Sequence, residues 1–375
     1  MINKNVLVLA LFLASFSNFA LAQKPGKDGG LYNKEMKSLQ TVINNRFYDK
    51  ASGYYFVVVD SAQRETKNGY LRAYTYLWAL CTMYEAANEI EKLEPKANLM
   101  EPLVKNIYNY YDPASPKPGF SDYIMKLKPG ERYYDDNQWI GITALDAYTR
   151  KKKKSDFKLG KMMYDFMMTG YNDVLGGGIY WKEGDKSSKN TCSNGPGILV
   201  AMKMYQATKD KAYLDTAVKI YNWTNEKLQT PSKLYHDNIK TKDGKAGGRI
   251  YSYNTGTMLQ SNLYLYEATG DKKYLQEAND IADSSLAYFY GGDKFRDGYW
   301  FNAVLLRGYQ HLLKHNEDTK YIVGFKKCLD YALKNERNGQ GLFVEKNGVQ
   351  NLVEHGGMLE ILARYAWLEK KYNLK

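Results

Sequence analysis

One stretch of this chain is written twice. Residues 205–223 read YQATKDKAYLDTAVKIYNW, and residues 266–284 read YEATGDKKYLQEANDIADS. Each copy is the end of one helix, a short polar turn and the start of the next. In the first copy Leu214, Ala217, Val218 and Tyr221 keep the i, i+3, i+4, i+7 rhythm of a helix with one apolar face. Weaker copies fall at 148–166 and 309–331. Self-similarity of this kind marks stacked helical hairpins.

Helical patterning recurs near 32–47, 70–90, 97–111, 137–150, 156–170, 195–208, 212–227, 256–269, 273–289, 299–315, 319–334 and 355–371. Twelve helices in six hairpins predict an all-α chain closed into a toroid, an (α/α)6 barrel with alternate helices inside and outside; an open solenoid is the alternative. No long Pro- or Ser-rich linker interrupts the pattern, so residues 23–375 are expected to form a single domain. The turns inside hairpins are short, as at 208–211 and 269–272. Three connections between hairpins are long, Gly-containing and aromatic: 112–135, 170–194 and 228–255. Long loops in a compact domain are usually functional or disordered. These carry Tyr180, Trp181, Tyr235, Asp237 and Tyr253, which favours function and predicts a groove where the loops share a rim.

Residues 1–22 read as an export signal: one lysine by position 4, an uncharged and mostly apolar run over 5–19, then Ala20-Leu21-Ala22, a cleavable small-x-small pattern. The run is short for a spanning helix and contains Ser15, Ser17 and Asn18. No cysteine follows it until Cys81, so a lipid-anchored form is not expected; the protein is expected to be periplasmic or secreted, with no membrane span after cleavage. Cys81, Cys192 and Cys328 are odd in number and widely spaced, which excludes a disulfide framework. With His236, His311, His315 and His355 the only histidines, no metal site and no cofactor are expected. The net charge of +12 is dispersed, and its one run, Arg150–Lys154, falls between two helical segments as a solvated turn. A nucleic-acid partner is therefore not expected, although the basic balance leaves room for phosphorylated glycans. The 35 tyrosines and 6 tryptophans serve a helical core, and the same rings suit sugar binding, because a flat ring covers the C–H face of a pyranose.

The sharpest local feature is Tyr133-Tyr134-Asp135-Asp136-Asn137-Gln138-Trp139, which ends a loop and opens a helix. Asp and Asn are favoured N-caps, and acids suit a helix N-terminus, so capping explains the pair by itself. A glycosidase explains it too. Retaining hydrolysis uses two carboxyl groups about 5 Å apart, one to attack the anomeric carbon and one to protonate the departing oxygen. Two close carboxylates do not ionise equally easily, so one stays protonated as the acid while the helix N-terminus keeps the other charged.

The ordered set YYDDNQWIGITALDAY (133–148), GGGIYWK (176–182), KNTCSNGP (189–196), YHDNI (235–239) and YSYNTG (251–256) resembles glycoside hydrolase family 76, the bacterial and fungal α-1,6-mannanases. The resemblance runs from YTYLWAL (74–80) to LLRGYQHLL (305–313). It implies an (α/α)6 barrel, retaining cleavage of α-1,6-mannosidic linkages in mannan or manno-oligosaccharides, Asp135 as nucleophile and Asp136 as acid/base. It also implies substrate contacts from Tyr134, Asn137, Trp181, Asn190, Asn194, Asp237, Tyr253 and Asn254. Ser252 and Thr255 depart from the family's Thr and Gln, and Asn238 from its Gly. On residue chemistry alone Trp181 could equally be core, Asp237 a turn residue and Asn194 a cap. Gly176–Gly178 reads as a tight turn without a phosphate role, and Arg307 as a structural ion-pair partner. The chain is expected to act as a monomer. A non-catalytic glycan binder on the same groove, or another (α/α)6 enzyme such as a sugar epimerase or an unsaturated uronyl hydrolase, are the alternatives. Epimerases of this shape rely on paired histidines, which are scarce here.

Overall fold

Among the described residues twelve α-helices follow one another: α1 Leu31–Arg46, α2 Leu77–Leu93, α3 Met100–Ile107, α4 Tyr134–Lys151, α5 Lys154–Met167, α6 Thr191–Thr208, α7 Lys211–Leu228, α8 Ser252–Thr269, α9 Lys272–Phe289, α10 Tyr299–Asn316, α11 Lys320–Asn335 and α12 Leu352–Tyr372. The computed structural model describes residues 30–64, 73–344 and 348–372, so the export-signal reading of residues 1–22 lies outside the described residues. Among the described residues no helix is long and apolar enough to cross a membrane.

The even-numbered helices form a closed inner ring. Each packs on the next, α2 on α4 and so on round to α10 on α12, and α12 packs on α2. Outside them, α3, α5, α7, α9 and α11 each pack on the inner helix that precedes them, and α1 packs on α12. The predicted (α/α)6 toroid is thus observed, its sixth hairpin formed by the first and last helices of the chain. Burial follows from position. In α6 every residue from Thr191 to Met204 is buried, whereas α7 buries only one face, Ala217, Ile220, Tyr221, Trp223, Thr224 and Leu228. Where inner helices touch, side chains must be small. A Cβ on Gly256 of α8 would lie 2.6 Å from the Leu305 Cα of α10, so only glycine lets these two backbones meet.

All twelve predicted helices are present, but α4, α6 and α8 begin three or four residues earlier than the apolar rhythm predicts. Their first turns read YDDN, TCSN and SYNT. Polar residues sit there because that turn faces a mouth of the ring instead of its core.

The long connections also carry short strands that the all-α reading did not anticipate: β1 Tyr111–Asp112, β2 Gly119–Phe120, β3 Tyr180–Lys182, β4 Asp185–Asn190, β5 Asn238–Lys240 and β6 Ala246–Gly247. The last four make one antiparallel sheet in the order β3-β4-β5-β6, with Asn190 opposite Asn238. A bridge between Tyr133 and Lys182, with the Arg132–Glu183 ion pair at 2.6 Å, joins the first long loop to that sheet. The three loops expected on one rim do share it.

A repeated device fixes these loops to the ring. Asn137, Asn194 and Asn302, and His355 in α12, each donate to the carbonyl four residues back, on Tyr133, Asn190, Gly298 and Asn351, at 2.7–2.8 Å. The same four side chains accept a hydrogen bond from the loop before the helix: from Phe120 N–H at 2.7 Å, Ile179 N–H at 2.8 Å, the Tyr290 hydroxyl at 2.8 Å and Phe343 N–H at 3.1 Å. One buried side chain therefore satisfies a helix end and a loop together.

Candidate active site

At the mouth formed by the first turns of the inner helices lies a cleft of about 550 Å³. Asp135 and Asp136 stand on its floor in the first turn of α4. Neither caps the helix: the N-cap is Tyr133, whose side chain makes no capping bond. The N-cap explanation of the pair is thereby removed, while both acids remain in the first turn, where the helix dipole favours them.

The two carboxyl groups have different surroundings. Asp135 Oδ1 accepts from the Asp136 backbone N–H at 3.1 Å, and Oδ2 accepts from Trp181 Nε1–H at 3.2 Å. The Cys192 thiol also bonds to it. Burial pushes the Asp135 carboxyl up to about 6, and these three donors limit the rise because they favour the charged form. Burial pushes Asp136 further, well above the ordinary carboxylate range, reinforced by the negative charges of Asp135 and then Asp122. At neutral pH the pair therefore divides into an ionised Asp135 and a protonated Asp136.

Aromatic rings build the walls. Trp181, 38% exposed, leans on Tyr133 with ring centres 4.9 Å apart. Opposite, Tyr253 stacks on Phe301 at 4.4 Å, and Phe301 on Trp78 at 5.9 Å. Trp300 meets Trp139 edge-on at 5.2 Å in the floor. The Tyr253 hydroxyl lies beside the Cys192 thiol, which in turn neighbours Asp135. Asp237 and Asn238 complete the rim from the start of β5. Below the floor, Trp300 Nε1–H donates to Glu85 at 2.8 Å; Arg307 pairs with Glu85 at 2.7 Å and with Glu360 at 2.6 Å, and Arg364 pairs with Glu360 at 2.7 Å. Arg307 is thus a structural ion-pair partner, as its helical position predicted.

The Gly-rich loop positions Trp181. Gly178 has φ +87°, and a Cβ there would lie 2.6 Å from the Trp223 ring. Carbonyls of Asn172 and Val174, at 3.0 and 2.7 Å, and that of Gly177 converge on the Lys189 ammonium. A loop that turns its carbonyls toward a lysine holds no phosphate, in accord with the sequence.

Of the residues anticipated in the groove, Asp135, Asp136, Trp181, Asn190, Asp237 and Tyr253 line it. Four are not among its lining residues. Tyr134 turns away onto Phe166, its ring centre 5.1 Å off and its hydroxyl 3.2 Å from Thr169. Asn137 and Asn194 are fully buried and spent on the backbone bonds described above, and the N-cap of α6 is Asn190, not Asn194. Asn254 is buried beneath Asp237, with Nδ2–H donating to its Oδ1 at 3.4 Å. The structure adds Tyr133, Cys192, Trp78, Trp300, Phe301 and Lys240. Trp78, Trp300 and Phe301 each sit at the start of an inner helix, as Asp135 does, and that shared register was the signal for them. The lining holds four aspartates, Asp122, Asp135, Asp136 and Asp237, against one lysine, Lys240. Despite the basic chain, acids outnumber bases in the cleft lining, so the surplus of basic residues lies elsewhere.

Residues 40–334 match the sequence profile described as Glycosyl hydrolase family 76. A curated relative, a mannan endo-1,6-alpha-mannosidase of Saccharomyces cerevisiae, is 26% identical over 188 residues, which are 46% of this chain and 42% of that protein. The chain thus matches less than half the length of that relative. Among solved structures, a family 76 alpha-mannanase of Bacteroides thetaiotaomicron superposes with a TM-score of 0.83 at 25% identity, covering 92% of this chain and 98% of that one. A second family 76 mannosidase of the same organism gives a TM-score of 0.80 at 26% identity, covering 92% and 100%.

Proposed function

Because this chain belongs to glycosyl hydrolase family 76, we propose that it is a retaining glycoside hydrolase cleaving α-1,6-mannosidic linkages in mannan or manno-oligosaccharides. The observation that carries this reading is the placing of the adjacent Asp135 and Asp136 on the floor of an aromatic cleft, where Asp135 accepts from Trp181 Nε1–H and the Asp136 N–H. In the first step Asp135 attacks C1 of the bound mannosyl unit, the bond from C1 to the leaving oxygen breaks, and Asp136 gives that oxygen its proton. In the second, Asp136 takes a proton from water, the water oxygen bonds to C1, and the ester to Asp135 breaks, so that each carboxyl returns to its starting state. The Cys192, Trp181 and Asp136 N–H donors keep Asp135 anionic for attack. The rings of Trp181, Tyr253 and Phe301 suit the C–H faces of mannose, and an acidic cleft suits a neutral polymer.

The test is reducing-end release from linear α-1,6-mannan. Asp135→Ala and Asp136→Asn should each lower kcat at least about a thousandfold, with proton NMR of the wild-type reaction showing the α-anomer first. Full activity in either variant overturns the assignment. Binding of mannan by the wild type without any new reducing ends would make the protein a glycan binder instead. We also read residues 1–22 as an export signal that leaves a monomer outside the cytoplasm. N-terminal sequencing of the mature protein should begin after Ala22, and light scattering should give the mass of one chain.

A further inference from the structure

The inner helices enclose a second cavity, of about 370 Å³, at the end of the ring opposite the cleft. Cleft residues come from first turns, such as Asp135 and Trp300. This cavity is lined from the middles and C-terminal halves of the inner helices, by Glu85, Arg307, Arg150, Tyr264, Lys314 and Trp367 among others. On its rim His311 Nε2 lies 2.7 Å from Glu267 Oε1, and His315 Nε2 lies 3.1 Å from that same oxygen. The ligand atoms of all three residues lie within 4.8 Å of one another. A carboxylate offers two oxygens and could receive two N–H donors separately; here both imidazoles converge on one, so that three ligand atoms face a common point.

We propose that Glu267, His311 and His315 form a binding site for a divalent ion of the zinc class. The i, i+4 spacing on α10 puts both imidazoles on one face, and α8 brings the carboxylate across to it. Each ring is set edge-on against a tyrosine of α8: His311 against Tyr264 at 4.7 Å, His315 against Tyr266 at 5.4 Å. Rings held in this way need little ordering to bind an ion. In a tetrahedral zinc site with ligands about 2.0–2.1 Å from the metal, ligand atoms stand about 3.3 Å apart. The two oxygen–nitrogen separations, 2.7 and 3.1 Å, fall just short of that spacing, so each imidazole needs to draw back only slightly from the carboxylate to admit an ion. Two imidazoles and one carboxylate leave a fourth position for water. Glu267 is exposed and His315 partly so, which opens the site to solvent without disturbing the ring. Both helices end here, at Thr269 and Asn316, so their C-terminal carbonyls favour a cation. Lys314, exposed on α10, is the nearby opposing charge and sets a limit on affinity. The ion would clamp α8 to α10 at the rear of the barrel, away from the aspartate pair.

Tag-free full-length protein, stripped with chelator, should bind one equivalent of Zn²⁺ by titration calorimetry at pH 7.5, with a rise in melting temperature. Mg²⁺ should give neither, because imidazole favours zinc-like ions. His315→Ala and Glu267→Gln, both at solvent-accessible positions and checked by circular dichroism, should each weaken Zn²⁺ binding at least tenfold and abolish the rise in melting temperature. Asp136→Asn should leave both intact. Absence of binding to the wild type, equal response to Mg²⁺, or unchanged Zn²⁺ binding in either variant overturns the site.

Discussion

Trp181 Nε1–H donates to Asp135 Oδ2 at 3.2 Å, so a ring exposed on the cleft wall also sets the charge of a buried carboxylate. A donor to the charged form lowers a pKa, and its removal raises it. Trp181→Phe keeps a ring and loses the donor. Its pH–rate profile on linear α-1,6-mannan should show the acid limb, set by Asp135 near 6, moved to higher pH, with kcat lower by about tenfold.

The Cys192 thiol acts on the same carboxylate from the other side. Cys192→Ala should move the acid limb in the same direction and lower kcat by about tenfold. Cys192→Ser, which restores an O–H donor, should recover most of the loss. Equal kinetics for the two variants would show that the thiol does not support Asp135.

Asn194 ties β3, and with it Trp181, to the start of α6. Asn194→Ala leaves the buried Ile179 N–H and C=O without their partner. Urea unfolding should show a loss of about 2–3 kcal/mol, and activity should fall along with stability because the wall of the cleft moves.

Arg307 stands between Glu85 and Glu360 in the centre of the ring. Arg307→Met leaves two buried acids without their shared cation, and the cost should be about 3–5 kcal/mol by denaturant unfolding. Trp300 rests on Glu85, so KM for mannan should rise in the same variant.

His355 supplies a pH dependence of stability. Nδ1–H donates to Asn351 while Nε2 accepts from Phe343 N–H, so a second ring proton would face an N–H. Burial lowers the folded pKa to about 4 from 6.5. The unfolded chain therefore takes up a proton first as pH falls. The stability this residue contributes is whole above about 6.5, declines between 6.5 and 4, and is gone below. The loss over that window should be about 2–3 kcal/mol, and His355→Gln should show a flatter profile in urea titrations run from pH 7 to pH 4.

The hairpin repeat was legible because the outer helices carry a one-sided apolar stripe, and counting their partners gave the ring. The early starts of α4, α6 and α8 were not legible, because periodicity reads apolar burial and those turns are polar. The same turns also hid which side chains line the cleft. Asn137 and Asn194 lie beside cleft residues in sequence, yet helical geometry swings them inward, where backbone groups claim them. Cys192 was passed over because an isolated cysteine has no pattern; only its place in space, against Asp135, gives it a task. His311 and His315 were visible at i, i+4, but Glu267, 44 residues earlier in the sequence, joins them only once the ring has closed.

The pairing of α1 with α12 means that the ring has a seam made of the two ends of the chain. On the ribosome five hairpins can assemble in order while α1 waits with its apolar stripe uncovered. The ring shuts only when α12 arrives, more than 300 residues after α1. Contacts this far apart in sequence form late and slowly. The barrel should thus appear in one final step, and chains lacking α12 should be the ones that aggregate or are degraded.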